Sequence, residues 1–147
     1  MSNPTATDVL GPVAVALYQR LAGDAPLVAF LGVDAGRGLD GVYDLVAPEA
    51  APTPYVVLGD GVETPRNVHG GYGAEVIVDL HVWDRSQSTS TVSSIANRLR
   101  GLLDHQPLTV SGHTVVAVRH DQTLTLRDPD PELRHLMVRI RITTEQE

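Results

Sequence analysis

The stretch Ala74–Asp84, AEVIVDLHVWD, alternates strictly between apolar and other side chains. A period of two residues is typical of a β-strand, because successive side chains of a strand point to opposite faces. One face carries Val76, Val78, Leu80 and Val82, and we expect it to be buried. The other face carries Glu75, Ile77, Asp79, His81 and Trp83.

A second alternating stretch, RHLMVRIRIT, covers residues 134–143. Leu136, Val138, Ile140 and Ile142 share its apolar face. The opposite face carries His135, Met137, Arg139, Arg141 and Thr143. We expect the acidic Glu75 and Asp79 of the first strand to lie across from Arg139 and Arg141 as cross-strand ion pairs.

The residues just before this strand, RDPDPE, place acids beside arginines in the manner of an active site. Asp128-Pro129-Asp130-Pro131 instead predicts a turn, because proline fixes φ and Asp accepts hydrogen bonds from nearby backbone N–H groups. The arginines that follow alternate with apolar residues because of the strand period. We therefore interpret the cluster as a turn and a strand.

Apolar residues at three- and four-residue spacing predict two main helices. The first begins regularly near Pro12 and ends at Gly23. The second ends near Asp104, and Ser88 or Ser90 is expected to cap its start. A short helix is expected over Pro26–Gly32, and a polar loop over Asp60–Gly73.

Further strands are expected at Val42–Val46, at Tyr55–Leu58, over LTVSGHTVVAVRH and over QTLTLR. The order of elements predicts an α+β fold, a mostly antiparallel β-sheet flanked by the two main helices. A chain of 147 residues is expected to form a single domain, residues 1–147, with residues 1–8 flexible.

The composition of the chain argues against several classes of function. Eleven Lys and Arg against eighteen Asp and Glu give a net charge of −7, which argues against nucleic-acid binding as the main task. The absence of cysteine excludes disulfides and thiolate metal ligands. The N-terminus does not have the pattern of a secretory signal, and no apolar run approaches about 20 residues. We expect a soluble protein with no membrane partner.

Motif searches predict no catalytic, cofactor-binding or metal-binding residues. GRGLDG (Gly36–Gly41) formally matches a dinucleotide fingerprint, but it has no strand before it and no helix after it. The six histidines include no helical pair at metal-ligand spacing, although Asp79 and His81 share a strand face. No nucleophile elbow is present. These results favour a protein that is not an enzyme.

Five segments, in order, carry a resemblance that covers Val13–Glu145: VAVALYQRLAGDAPLVAFLG, YDLVAPEAAPTPYVVLGD, LHVWDRS, IANRLRGLLDHQPLTVSGHTVV and TLRDPDPELRHLMVRIRITTE. They are similar to the tail-completion or tail-terminator family of long-tailed bacteriophages, prophages and gene transfer agents. The resemblance implies an α+β structural virion protein, without catalytic residues or cofactors, at the head-proximal end of the tail and assembled in the host cytoplasm.

The resemblance also implies partners. Proteins of this family form a ring, typically a hexamer, that caps the tail tube, stops its polymerisation and docks the tail to the head. The expected partners are further copies of the chain, the tail-tube protein and the head-completion or neck (stopper) protein. DNA would only pass through the lumen, where an acidic or neutral lining avoids trapping its phosphates.

Two sets of contact residues follow as hypotheses. The loop over Asp60–Gly73 is expected to contact the tube or the lumen through Glu63, Arg66, Asn67, His69 and Tyr72. The uncovered strand face is expected to contact a neighbouring subunit, because apolar groups there would otherwise be exposed. Its residues are Ile77, Trp83, Met137, Arg139 and Arg141.

Two alternatives remain open at the level of sequence. Another neck or tail-tube ring component would have a similar size and fold, but a tube protein polymerises into long cylinders by itself. A small ligand-binding or hydrolytic domain would need a concave pocket with convergent polar groups.

Overall fold

A computed structural model describes residues 5–147. The elements, in chain order, are helix α1 (Leu10–Ala22), helix α2 (Ala25–Val28), a 3-10 helix (Ala35–Arg37), strand β1 (Val42–Asp44), strand β2 (Tyr55–Pro65), strand β3 (Gly73–Arg85), helix α3 (Ser90–Leu103), strand β4 (His113–Arg127) and strand β5 (Leu133–Gln146). No helix in this part of the chain is long and apolar enough to cross a membrane.

The strands form one five-stranded sheet in the order β1-β2-β3-β5-β4. β1 pairs with β2 in parallel, and the other three pairings are antiparallel. β3 and β5 pair along their whole length, from Gly73 opposite Glu145 to Arg85 opposite Leu133. The prediction of a mostly antiparallel α+β sheet is therefore confirmed.

The core lies between one face of this sheet and the helices. Burial alternates along β3, as the sequence period predicts, and Leu80 and Ile140 have no exposed surface. Leu17 of α1 and Leu99 of α3 are equally buried and belong to the same cluster. Both main helices therefore pack on the apolar face of β3 and β5, and the opposite face is left without a helix.

The helix ends differ slightly from the expectations. α1 begins at Leu10, two residues before Pro12, where the N–H that proline lacks would have no partner inside the helix. The Asp8 carboxylate accepts hydrogen bonds from the N–H groups of Leu10 and Gly11. The N-cap of α3 is Thr89, whose side chain makes no capping hydrogen bond, rather than Ser88 or Ser90 as expected; Ser88 Oγ accepts from the Ser90 N–H at 3.1 Å. α2 is a single turn that ends at Val28.

The largest correction concerns the polar segment that was expected to be a loop from Asp60 to Gly73. β2 continues to Pro65 and pairs with the first half of β3, so that the loop is reduced to residues 66–72. This part of the strand was not predicted, because its glycines and acids interrupt the apolar pattern and it forms by pairing with β3. Between Leu58 and Gly61 the register of β2 against β3 shifts by one residue.

Two other strands also differ from the expectation. Residues 113–127 form one strand, β4, rather than two, because register shifts at Val115/Ala117 and His120/Gln122 let it remain paired with β5. β1 is shorter than expected and ends at Asp44, because Leu45 has a left-handed backbone with φ of 63°.

The beginning of the described chain is attached to the sheet. Gln146 accepts a hydrogen bond from the Thr7 N–H and donates one to the Thr5 carbonyl, at 2.9 and 2.8 Å. The flexible start was expected over residues 1–8. Residues 1–4 lie outside the described residues, and of the next four Thr5 and Thr7 make these contacts.

Candidate functional site: the open face and the two ends of the sheet

The sheet face that no helix covers is called here the open face. On the two central strands it consists of the ten side chains that the sequence period placed together: Glu75, Ile77, Asp79, His81, Trp83, His135, Met137, Arg139, Arg141 and Thr143.

One half of the open face is charged and internally paired. Arg139 donates two hydrogen bonds to the Asp79 carboxylate, at 2.8 and 3.3 Å, which raise the pKa of Arg139. Arg141 lies 3.5 Å from Glu75 and 3.1 Å from Asp121 of β4. The predicted cross-strand ion pairs are confirmed. Each of these arginines is therefore held by a carboxylate of its own chain.

The other half of the open face is aromatic. The rings of Trp83 and His135 stack with centroids 3.5 Å apart, and His135 Nε2 lies 2.7 Å from His81 Nδ1. Burial, and to a smaller extent His81, lowers the pKa of His135 to about 4. Near neutral pH His135 is therefore an uncharged ring. Tyr43 and Tyr55 meet edge-to-face beside this group.

Exposure differs among the open-face residues expected to meet a neighbouring subunit. Met137 is only 5% exposed, because its own chain packs around it. Ile77, Trp83, Arg139 and Arg141 are half-buried and remain partly accessible. Met137 is therefore not part of the accessible surface, which the other four residues form.

At one end of the sheet, β2 and β3 form a projecting hairpin. Arg66 donates its N–H to the Gly73 carbonyl, and Val68 and Gly71 exchange two backbone hydrogen bonds. Gly70, with φ of 85°, supplies the left-handed residue of the turn at the tip. The hypothesised contact residues therefore lie on an ordered hairpin rather than on an irregular loop.

The side chains of this hairpin are of mixed character. Arg66 lies 3.8 Å from Glu75, and Asn67 Oδ1 accepts the Gly73 N–H at 3.3 Å. Glu63 and His69 are exposed, and Tyr72 is half-buried. The five hypothesised residues thus lie on one hairpin and are accessible, apart from part of Tyr72.

At the other end of the sheet, the β4–β5 turn is acidic. Asp128 accepts the Asp130 N–H and Asp130 accepts the Glu132 N–H, at 2.9 and 3.0 Å, so the predicted turn is confirmed. Arg85 lies 2.9 Å from Asp130. The hydrogen bond from the Glu132 N–H lowers the pKa of the Asp130 carboxyl, and the Arg85 guanidinium lowers it further. These groups are arranged to hold a turn.

Two concave regions lie on the described surface. A cavity of about 320 Å³ lies between the N-terminal segment and the base of the β2–β3 hairpin, and its lining includes Glu63, His113 and Thr144. A broad groove of about 1280 Å³ lies between the start of α3 and the β4–β5 turn, and it is open to solvent. In the cavity, the His113 ring lies within hydrogen-bond distance of the Asp8 carbonyl, at 3.1 Å.

The motifs weighed in the sequence have structural roles. Within residues 5–147 no three His, Asp or Glu side chains are placed to hold a metal ion, and Asp79 is already held by Arg139. The segment Gly36–Gly41 contains part of the 3-10 helix, which Asp34 caps, and leads into β1 rather than into a helix.

Two parts of these surfaces could not be predicted from the sequence. The contact between His81 and His135 requires the register of β3 against β5, whereas the period of two gives only the shared face. Tyr43 and Tyr55 join the aromatic group because β1 lies next to β2. For Tyr55, the only signal in the sequence was its position at the start of a predicted strand.

The described residues thus form an α+β sheet with one uncovered face and two structurally different ends, and the charged side chains of the uncovered face are paired with one another. The sequence profile of the tail completion protein gp17 family matches residues 15–145, and the chain belongs to that family. The family is one of structural virion proteins of the tail. The expectations of a non-enzymatic protein and of a place in the virion tail are thereby confirmed.

Individual relatives agree with this assignment. The tail completion protein gp17 of Bacillus phage SPP1 is 30% identical over 92 residues, which are 63% of this chain and 68% of that protein. A chain of the native gene transfer agent particle has the same fold, with a TM-score of 0.83 and 24% identity over 95% of this chain and 99% of that one. The structure of SPP1 gp17 gives a TM-score of 0.56 and 24% identity over 90% and 88% of the two chains.

Proposed function

We propose that the chain assembles into a ring at the head-proximal end of the tail tube. The ring is a hexamer, as the resemblance to the family implies. The ring ends tube polymerisation and docks the tail to the neck of the head. Membership of the tail completion family supports the location, and the two different ends of the sheet carry the mechanism.

The two ends are the observation on which the mechanism depends. The β2–β3 hairpin and the β4–β5 turn lie at opposite ends of β3, a strand of thirteen residues that spans roughly 40 Å. One end bears the tip of the β2–β3 hairpin, where Arg66 lies near Glu75, and the other bears the proline-containing β4–β5 turn, where Arg85 is paired with Asp130 and Glu132. In a ring whose subunits share one orientation, the two rims would differ in shape and in the side chains that they present. A rim that fits the tube and a rim that rejects another tube ring meet the requirement of termination.

The β2–β3 hairpin is the proposed contact with the tube or the lumen. An ordered hairpin loses less conformational entropy on binding than a flexible loop would. Its contact residues are Glu63, Arg66, Asn67, His69 and Tyr72.

The open face is the proposed site of subunit contact, through Ile77, Trp83, Arg139 and Arg141 above the buried Met137. Because Asp79, Glu75 and Asp121 pair with its arginines, a neighbouring subunit can cover this face without leaving an unpaired buried charge.

Deletion of the gene, followed by negative-stain imaging of the particles, tests this function. Overlong tails and unjoined heads are the expected result. Tails of normal length joined to heads would overturn the proposal. Purified protein supplies a second readout, because a terminator stops at one ring, whereas long cylinders would identify a tube component.

A further inference from the structure

Two stretches at opposite edges of the sheet have no partner strand in the described chain. The first, called the β4 edge, is Gln122–Arg127. The second, called the β2 edge, is Asp60–Pro65. β4 is the last strand of the sheet, and β1 pairs with β2 only over Val56–Leu58.

The edge next to each stretch is closed by the chain itself. At β4, the His105 N–H donates to the Val118 carbonyl at 2.9 Å, and Asp104 accepts the His120 N–H at 2.8 Å. At β2, the Leu45 N–H donates to the Leu58 carbonyl at 2.8 Å. The two stretches therefore begin where these contacts end.

The β4 edge has the composition of a strand that accepts another strand. Its sequence, QTLTLR, contains no glycine, no proline and no charge before Arg127, and it lies beyond the last register shift of β4. An unprotected edge of this kind attracts pairing with another chain, and soluble proteins normally block it. The β2 edge ends at Pro65, which has no N–H to donate, so pairing there would extend only to Thr64.

Each edge also carries one exposed apolar side chain on the open face. Leu124 is 39% exposed and lies opposite the open-face residue Met137 on β5. Val62 is 59% exposed and lies opposite the open-face residue Ile77 on β3. Both exposed groups are therefore next to residues of the proposed subunit contact.

We propose that the β4 edge of one copy pairs antiparallel with the β2 edge of the next copy, with Leu124 opposite Val62. This inference rests on the proposed ring. Three successive antiparallel pairings separate β2 from β4, so the two strands run in opposite directions, and a head-to-tail junction continues the antiparallel pattern. In this register Gln122 faces Thr64, and the two apolar side chains cover each other on the same face.

The stagger of the two edges agrees with a closed sheet. Leu124 is level with His81 on β3, and Val62 is level with Ile77, an offset of four residues or about 14 Å. From β2 of one copy to β2 of the next there are four strand spacings, or about 19 Å. The strands would then tilt by about 35° from the ring axis, and strands of closed sheets tilt by roughly 35–45°.

Disulfide cross-linking tests the register. The chain has no cysteine, so the double variant Val62→Cys and Leu124→Cys contains only the two introduced thiols. Directly opposite residues have Cβ atoms about 4.5–5.5 Å apart, close enough for a disulfide after a small adjustment. Oxidation of purified rings, and of particles that contain this variant, is expected to give a ladder of linked subunits up to the complete ring.

Matched variants make the result specific. Val62→Cys with Thr125→Cys places the second thiol on the other face of β4 and is expected to give no ladder. Leu124→Cys alone is also expected to stay unlinked, and a linked dimer from it would show that two β4 edges pair with each other and overturn the inference. A ring that forms without cross-links in the first pair would also overturn it, while leaving the proposed function in place. Loss of the ring itself in wild-type protein and particles would overturn both.

A charge at the junction gives an independent readout. Leu124→Lys is expected to shift the ring to monomers in light scattering, while the circular dichroism spectrum stays that of the folded chain. Val116→Lys, at a site on the same strand that is 57% exposed, is expected to leave the ring intact. Equal assembly of the two variants would contradict the proposed junction.

Discussion

Trp83 and His135 stack across β3 and β5 with ring centroids 3.5 Å apart and an interplanar angle of 17°. The indole therefore covers one side of the imidazole. On its edge, the His135 ring meets His81 Nδ1 at 2.7 Å, a contact in which only one nitrogen can supply the proton.

This environment predicts a pH dependence of stability. The pKa of His135 is lowered to about 4, mainly by burial, so the unfolded chain binds a proton more readily than the folded chain as the pH falls. The contribution is fully present above about pH 6.5 and is lost as the pH falls from 6.5 towards 4. Urea unfolding at pH 7, 5.5 and 4.5 is expected to give decreasing midpoints.

The variant His135→Phe separates this group from the carboxylates that also titrate at acid pH. It keeps an aromatic ring against Trp83 and removes the titration, so its stability is expected to fall less between pH 6.5 and 4.5. An NMR titration that gave His135 a pKa near 6.5 would contradict the explanation.

The different burial of two leucines predicts different losses of stability when each is replaced by alanine. Leu80 has no exposed surface and lies on the apolar face of β3, whereas Leu45 is 57% exposed. Leu80→Ala is expected to lower the free energy of unfolding by about 2–5 kcal/mol, because it removes buried methyl groups and leaves a cavity. Leu45→Ala is expected to stay within about 0.5 kcal/mol of the wild type. Equal losses in a denaturant titration would show that the assignment of the core is wrong.

Two glycines with the same backbone conformation predict a second contrast. Gly41 and Gly70 both have φ of 85°, a region that costs an alanine about 1–2 kcal/mol. A Cβ at Gly70 would meet nothing within 4 Å, whereas one at Gly41 would lie 2.7 Å from the buried Leu31 Cβ. Gly70→Ala is expected to show only the backbone cost, and Gly41→Ala about 1–3 kcal/mol more. The difference between their unfolding free energies measures the packing contribution alone.

The parts of the fold that followed from the sequence are those with a local cause. The alternation in β3 and β5 gave their buried faces, and with those faces it gave the ion pair of Asp79 with Arg139. The spacing of apolar residues gave α1 and α3 in the same way. Proline and Asp chemistry gave the turn at residues 128–131.

The parts that did not follow depend on strand pairing rather than on a local pattern of residues. Residues 60–65 contain glycine, acids and proline, and they form a strand only because β3 lies beside them. β4 remains continuous because β5 accommodates its two irregularities. The unpaired edges depend on the strand order, which no local pattern of residues contains. The contacts proposed for the hairpin and the open face remain predictions.

The β2–β3 hairpin gives the most direct test of the proposed docking function. Replacing residues 66–72 by a short Gly-Ser turn removes Arg66, Asn67, His69 and Tyr72, while β2 and β3 keep their pairing up to Pro65 and Ala74. The variant is expected to fold, with a circular dichroism spectrum close to that of the wild type, and to give particles whose tails are not joined or not properly terminated. The substitution Gly70→Ala, at the same tip, serves as the matched control, because it strains the turn and leaves every proposed contact side chain in place. Normal, infectious or DNA-transferring particles from the loop replacement would remove the hairpin from the docking surface and leave the acidic end of the sheet as the remaining candidate.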